Sequence, residues 1–231
     1  MQRRKFTRAL ISAAGLGGLG LRPAAQAAGL SQSDAALGIR TALERGAEAA
    51  VALLGRSGGF LDNPKVRIPL PGYLNDAAKV LKFTGQQHRV DELVTAMNRA
   101  AEAAVPQAQA LLLNAVKAMS VEDGRKIIAG GDNSVTQFFS AKTRVPLGAK
   151  FLPIVTQATE RVSLADKYNA VAGQAASLGL IGKDEANIQK YVTGKALDGL
   201  YLVIGDEERK IRQDPVGTGS AILQRVFGSL K

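Results

Sequence analysis

The sequence predicts an all-α protein: one compact domain of several helices around a central apolar helix near the C-terminus, with an extended Pro-rich strap. Apolar residues recur at helical spacing through most of the 231 residues. No stretch alternates apolar and polar residues as a half-buried strand does. Residues 196–204 are apolar at almost every position, which is typical of a helix buried on most sides. Because 46% of the residues are hydrophobic, the chain can bury a full core.

Residues 1–27 have the three parts of an export signal. Arg3 and Arg4 open a basic segment, residues 9–21 are apolar, and Ala25 to Ala27 supply the small residues that a signal peptidase needs. The apolar part is diluted by glycines and is too short to span a membrane. The paired arginines favour the twin-arginine route, and the general secretory route is the alternative. We therefore expect a soluble periplasmic protein whose helical domain covers residues 28–231.

The helices follow one another with short interruptions. Ser31 to Asp34 form a capping-box pattern, which predicts a first helix that ends before Gly55. A second capping-box pattern, Ser120 to Asp123, predicts a short helix that ends at Gly130. Pro106 either kinks one long helix or separates two. The remaining helices are predicted at residues 73–84, 88–119, 132–162, 163–176, 184–212 and 219–230.

The strap is the stretch RIPLP, residues 67–71. Two prolines spaced by one residue cannot lie inside a helix, and each forces the residue before it into an extended conformation. We expect Ile68 and Leu70 to pack on the helices while Arg67 reaches a carboxylate. Loops of this length also bind ligands in many proteins, so the strap is predicted either to be structural alone or to contact a ligand or partner as well.

Composition excludes several classes of function. The chain has no cysteine, so it forms no disulfide, thiolate metal site or cysteine nucleophile. His88 is its only histidine, and we predict no metal site, no nucleotide cofactor and no catalytic triad. Residues 1–27 hold five of the 30 Lys and Arg and none of the 20 Asp and Glu, which leaves a net charge of +5. Such scattered positive charge argues against nucleic acid and permits a weak membrane-surface contact.

Two sets of polar side chains are candidates for function. By helical spacing Glu207 shares a face with apolar residues of the last long helix, and Asp198 lies inside its apolar run. A carboxylate that faces a core must pair or take up a proton, so Glu207 is a reactive acid or a partner of an arginine, unless it lies in an end turn that emerges from the core. On the helix from His88, one narrow sector either lines a cleft or faces solvent. This sector contains Asp91, Thr95, Asn98 and Glu102.

Five ordered motifs resemble an exported bacterial family, domain of unknown function family 4197. They are NPKVRIPLP at 63–71, MNRAAEAAVP at 97–106, KALDGL at 195–200, EERKIR at 207–212 with DP at 214–215, and VFG at 226–228. The resemblance implies a helical envelope protein and brings no established activity. Its motifs contain Arg67, Asn98, Arg99, Glu102, Asp198, Glu207, Glu208 and Arg212.

Two functions remain open on this sequence. The first is a binding or scaffold module that holds an apolar or amphipathic ligand, or an envelope protein, and has no catalytic residue. The alternative is a hydrolase that uses paired carboxylates such as Glu207 with Asp198 or Glu102. The candidate binding residues are Arg67, Ile68, Leu70, Asn98, Arg99, Glu102, Asp198, Glu207 and Arg212.

Overall fold

The computed structural model describes residues 30–177 and 187–229, and about three quarters of these residues are helical. The prediction of an all-α fold is confirmed. The helices are α1 (Gln32–Leu54), α2 (Asn75–Phe83) after a 3₁₀ turn at Gly72–Leu74, α3 (Gln87–Ala118), α4 (Gly124–Ile128), α5 (Ser134–Arg161), α6 (Leu164–Ser177), α7 (Ile188–Gln213) and α8 (Ala221–Gly228). The predicted signal at residues 1–27 and the predicted helix start at residue 184 lie outside the described residues, as does the predicted helix end at residue 230.

Two long helices share the centre of the fold. α7 packs against α1, α3, α5 and α8, and α3 packs against α1, α2, α5, α6 and α7. Apolar side chains from all eight helices join one core. The apolar run of α7 is central as predicted, although Asp198 and Leu202 lie on a side that faces solvent.

Three prolines lie inside helices without ending them. Pro106 belongs to α3, which is continuous, so it does not separate two helices. Pro146 and Pro153 likewise lie within α5. All three prolines are exposed. Each proline lacks the backbone N–H that would bond to the carbonyl four residues earlier, which belongs to Glu102, Lys142 and Ala149 respectively.

The two predicted capping boxes have different outcomes. The Ser31 hydroxyl accepts the N–H of Asp34 at 3.0 Å, so the start of α1 is as predicted. The box at Ser120 is wrong, because α4 begins only at Gly124 and its N-cap residue makes no side-chain bond. Instead the Gln32 amide accepts the N–H of Arg125 at 3.4 Å and donates to the Glu122 carbonyl. A side chain from α1 therefore replaces the local cap.

The described helices contain neither a membrane span nor a metal cluster. None of them is long and apolar enough to cross a membrane. Within residues 30–177 and 187–229, no three or more His, Asp or Glu side chains are grouped so as to hold a metal ion.

Candidate functional site

Asn98 on α3 holds the strap by its backbone. Its side chain is 0% exposed. The amide oxygen accepts the N–H of Ile68 at 2.8 Å, and the amide nitrogen donates to the carbonyls of Ile68 at 2.9 Å and Val94 at 2.8 Å. The amide thus satisfies both backbone groups of an extended residue, as a neighbouring strand would.

Glu102, one turn further along α3, anchors the loop that precedes the strap. One carboxylate oxygen accepts the N–H groups of Phe60 and Leu61, each at 3.0 Å, and the other lies 2.7 Å from the Arg99 guanidinium. Burial raises the pKa of Glu102, but the Leu61 N–H, Arg99 and the Phe60 N–H together lower it below its ordinary value. Glu102 is therefore a charged structural anchor.

The polar sector of α3 divides between core and solvent. Asn98 and Glu102 are buried beneath the loop, so the solvent-facing interpretation is wrong for these two residues. Asp91 and Thr95 are exposed and line an open cleft of about 430 Å³, so for this pair both interpretations hold. Helical spacing alone could not predict this difference between Asn98 with Glu102 and Asp91 with Thr95, because it depends on a loop that covers only one end of the sector.

The strap itself is packed against the helices. Ile68 is 0% exposed, and Leu70 is half-buried against the core. The Tyr191 hydroxyl donates to the Pro69 carbonyl at 3.1 Å. The expectation for Arg67 is wrong: its side chain is exposed, and within the described part of the chain no carboxylate pairs with it.

α7 buries Glu208 instead of Glu207. The Glu207 side chain is 26% exposed and lies 3.0 Å from the Lys210 ammonium, so the prediction that it faces the core is wrong. The buried face of α7 narrows near its C-terminal end to the row Ile204, Glu208 and Ile211. The prediction extended the apolar face of the first half of the helix and therefore placed Glu207 in the core, one residue before Glu208.

The Glu208 carboxylate binds the start of α5. It accepts the backbone N–H groups of Val135 at 3.1 Å and Thr136 at 2.8 Å, together with the Thr136 hydroxyl at 2.7 Å. Arg212 donates to the same carboxylate at 2.8 Å and to the Ile128 carbonyl at 2.9 Å. Glu208 therefore accepts N–H groups at the start of α5 while Arg212 donates to a carbonyl at the end of α4. Together they fix the junction between the two helices.

Each candidate carboxylate already has a partner. Asp198 is 46% exposed and pairs with Arg144 and Lys195, whereas Glu207 pairs with Lys210. Asp198 and Glu207 are nine residues apart on one helix, about 14 Å along its axis. No hydrogen bond or ion pair in the described ranges links Glu102 to either of them. These carboxylates do not form an acid and base pair at a common pocket.

An open groove lies between α3, α4 and α5. Its volume is about 1030 Å³. Its lining combines apolar side chains from the three helices, which we call its walls, with charged side chains that are all exposed, which we call its rim. The apolar part is Leu111, Ala115, Ala118, Met119, Ile127, Phe138, Ala141, Pro146 and Leu147. None of the residues that the sequence predicted for binding lines this groove.

The sequence contains one signal that points to the groove. Phe138 and Phe139 are adjacent in α5, and two consecutive helical residues cannot both face one core. Phe139 is buried, whereas Phe138 is only half-buried and lines the groove. A pair of neighbouring aromatics therefore indicated a second apolar surface on α5.

The comparison with protein families identifies the relatives of this chain. The family described as "Protein of unknown function (DUF4197)" matches residues 29–228. The chain belongs to this family. No curated protein and no solved structure matches it.

The motifs by which the chain resembles DUF4197 coincide with the anchors of its fold. Asn98 and Glu102 hold the α1–α2 loop, residues 55–71. Glu208 and Arg212 hold the α4–α5 junction, which forms one end of the groove. In this DUF4197 member the motif residues therefore position the loop and the groove wall, and the groove itself is lined by other residues.

Proposed function

We propose that this protein is an exported, periplasmic helical module that binds an amphipathic ligand in the groove between α3, α4 and α5. The observation that carries the proposal is the groove, which combines apolar walls with a charged rim. Its volume of about 1030 Å³ is at the upper end of the usual range for small-molecule sites. An amphipathic ligand places its apolar part on the walls and its polar part at the rim.

The strap supports this proposal indirectly. Ile68 is fully buried and hydrogen-bonded through both backbone groups, so it offers no free surface to a ligand. A cleft of about 430 Å³ beside the same loop is lined mainly by hydrophilic and glycine residues, among them Arg56 and Asp62. The groove is the better place for an apolar chain, because burial of apolar surface provides the affinity.

The geometry gives the hydrolase alternative no support. A carboxylate-based hydrolase needs two carboxyl groups on opposite sides of one substrate bond. Glu102, Asp198 and Glu207 are each paired with a cation on different parts of the fold. We therefore propose binding and not hydrolysis.

The test of binding is native mass spectrometry of the protein purified from the periplasm, followed by identification of any released small molecule. We expect one amphiphile per chain. Ala118→Trp should abolish this adduct, because Ala118 is exposed and lines the groove. Ala110→Trp is the matched control, since Ala110 is an exposed alanine of the same helix that does not line the groove. Bare wild-type protein, or an adduct that Ala118→Trp retains in full, would overturn the proposal.

Export rests on residues 1–27 and needs a separate test. Replacing Arg3 and Arg4 with lysine keeps the charge but removes the arginine pair. For the twin-arginine route we expect the wild-type chain in the periplasmic fraction and the double variant in the cytoplasm. Periplasmic recovery of both would instead support the general secretory route, and cytoplasmic recovery of both would contradict export.

A further inference from the structure

Three lysines on the rim of the groove have no partner among the residues that the structure describes. Lys126 lies on α4, and Lys142 and Lys150 lie on α5. All three are exposed, and no carboxylate in residues 30–177 and 187–229 pairs with them. Elsewhere on the surface, Lys65, Lys79 and Lys210 each pair with a carboxylate. Lys82 and Lys117 have no carboxylate partner among the described residues either, but they do not line the groove. The groove therefore carries positive charge that is available to a ligand.

The two α5 lysines lie along one edge of the apolar wall. Lys142, Pro146 and Lys150 follow one another at intervals of four residues and all line the groove, so they lie on one side of α5. The lysines are about 12 Å apart along the axis, and each has a flexible stem. Phe138 and Leu147 contribute apolar surface to the same wall. A head group at this edge can reach a lysine while its chain lies on the apolar side chains.

The acidic residues of the groove belong to the turn between α3 and α4. They are Glu122 and Asp123. Glu122 accepts a hydrogen bond from the Ser120 hydroxyl at 3.4 Å, which is a contact within the turn. Since no acidic residue of α5 lines the groove, the α5 edge carries positive charge alone.

We propose that the ligand is an anionic amphiphile, a single alkyl chain with a carboxylate or phosphate head, whose head lies at the edge of the groove formed by Lys142 and Lys150. This inference rests on the proposed function and adds the sign of the head group and its position. An ion pair at an exposed rim is individually weak, so the combined attraction of both lysines should favour an anionic over a neutral head by about tenfold at low salt. Salt should reduce the preference, because exposed charges are screened.

The test uses ligands that share a twelve-carbon chain and differ in the head group. Dodecanoate, dodecyl phosphate, dodecyl maltoside and dodecyltrimethylammonium are titrated into delipidated protein by calorimetry, each below its critical micelle concentration. We expect one site per chain, about tenfold tighter binding of both anions than of the maltoside, and the weakest binding of the cation. The carboxylate and phosphate arms show which anionic head the site prefers.

Two double variants locate the effect. Lys142→Gln with Lys150→Gln should remove the preference for anions and leave the maltoside affinity unchanged. Lys82→Gln with Lys117→Gln removes the same charge from exposed lysines that do not line the groove, and it should retain the preference.

Three results would overturn the inference. Equal affinity for all four heads would contradict the sign of the head group while leaving groove binding intact. An anion preference that both double variants lose equally would show an effect of net charge instead of a site. If none of the four ligands binds, the proposed function fails as well.

Discussion

Glu208 shows how one buried carboxylate can organise two helices. Its side chain is 2% exposed, and that of its partner Arg212 is 11% exposed. The pair persists in the core because nearly every remaining polar atom also has a partner, including the start of α5 and the end of α4. The preceding residue, Glu207, is 26% exposed and lacks these contacts.

We predict opposite outcomes for the two neighbouring glutamates. Glu208→Gln leaves Arg212 without its counter-ion and should lower the free energy of unfolding by about 3 kcal/mol. Glu207→Gln removes one exposed ion pair and should change it by less than about 0.5 kcal/mol. Urea denaturation followed by circular dichroism measures both. Similar losses in the two variants would contradict the assignment of Glu208 to the core.

A second residue-level prediction concerns pH. The pKa of Glu102 is lower in the folded than in the unfolded chain, so this group stabilises the fold above its unfolded pKa of about 4.3. That stability is lost as the pH falls through the lower folded pKa. The free energy of unfolding of the wild-type protein should therefore decrease from about pH 5 to pH 3, and Glu102→Gln should show a shallower decrease.

The control separates Glu102 from other carboxylates. Burial raises the pKa of Asp206, but Arg209 and Lys65 lower it below its ordinary value, so the wild-type slope has more than one source. Glu92 is an exposed carboxylate of the same helix, and Glu92→Gln should keep the wild-type slope. The prediction fails if Glu102→Gln and Glu92→Gln have the same slope.

At the scale of the element, α7 and the α1–α2 loop touch through a glycine. A Cβ atom at Gly199 would lie 2.8 Å from Cε1 of Phe60, whose side chain is fully buried. A Cβ atom at Gly194, on the same helix, would meet no heavy atom of another element within 4 Å. Both glycines lie inside the same helix, so what distinguishes them is the packing of other elements against them.

This difference predicts opposite signs for one substitution. Gly194→Ala should stabilise the protein by about 0.5–1 kcal/mol through helix propensity alone. At Gly199 the same gain is outweighed by overpacking, which costs about 1–3 kcal/mol, so Gly199→Ala should destabilise. Urea denaturation measures both changes. Stabilisation by both substitutions would show that the loop does not pack closely on α7.

Helix positions were predictable where the cause is local. The Ser31 cap, the periodicity of α1 and the prolines of the strap depend on neighbouring residues and gave the correct structure. The capping box at Ser120 failed because Gln32, about ninety residues away in sequence, takes that role. The prediction that the polar face of α3 at Asn98 faces solvent failed for a similar reason, because a loop from elsewhere in the chain covers that face.

At the scale of the whole molecule, the sequence predicted the all-α class but not the groove. Its walls come from three helices, and no single periodicity describes their arrangement. The predicted site instead followed motif residues, and Asn98, Glu102 and Arg212 are structural anchors in the fold. Only the adjacent pair Phe138 and Phe139 indicated locally that α5 has a second apolar side.

The location of binding is the central claim, and amide chemical-shift mapping tests it most directly. Dodecanoate is titrated into ¹⁵N-labelled protein at a concentration below micelle formation. We predict saturable shifts at residues 111–119, 126–127 and 137–150, with few changes at the strap, residues 67–71. Shifts concentrated at the strap, or none that saturate, would contradict a ligand site in the groove.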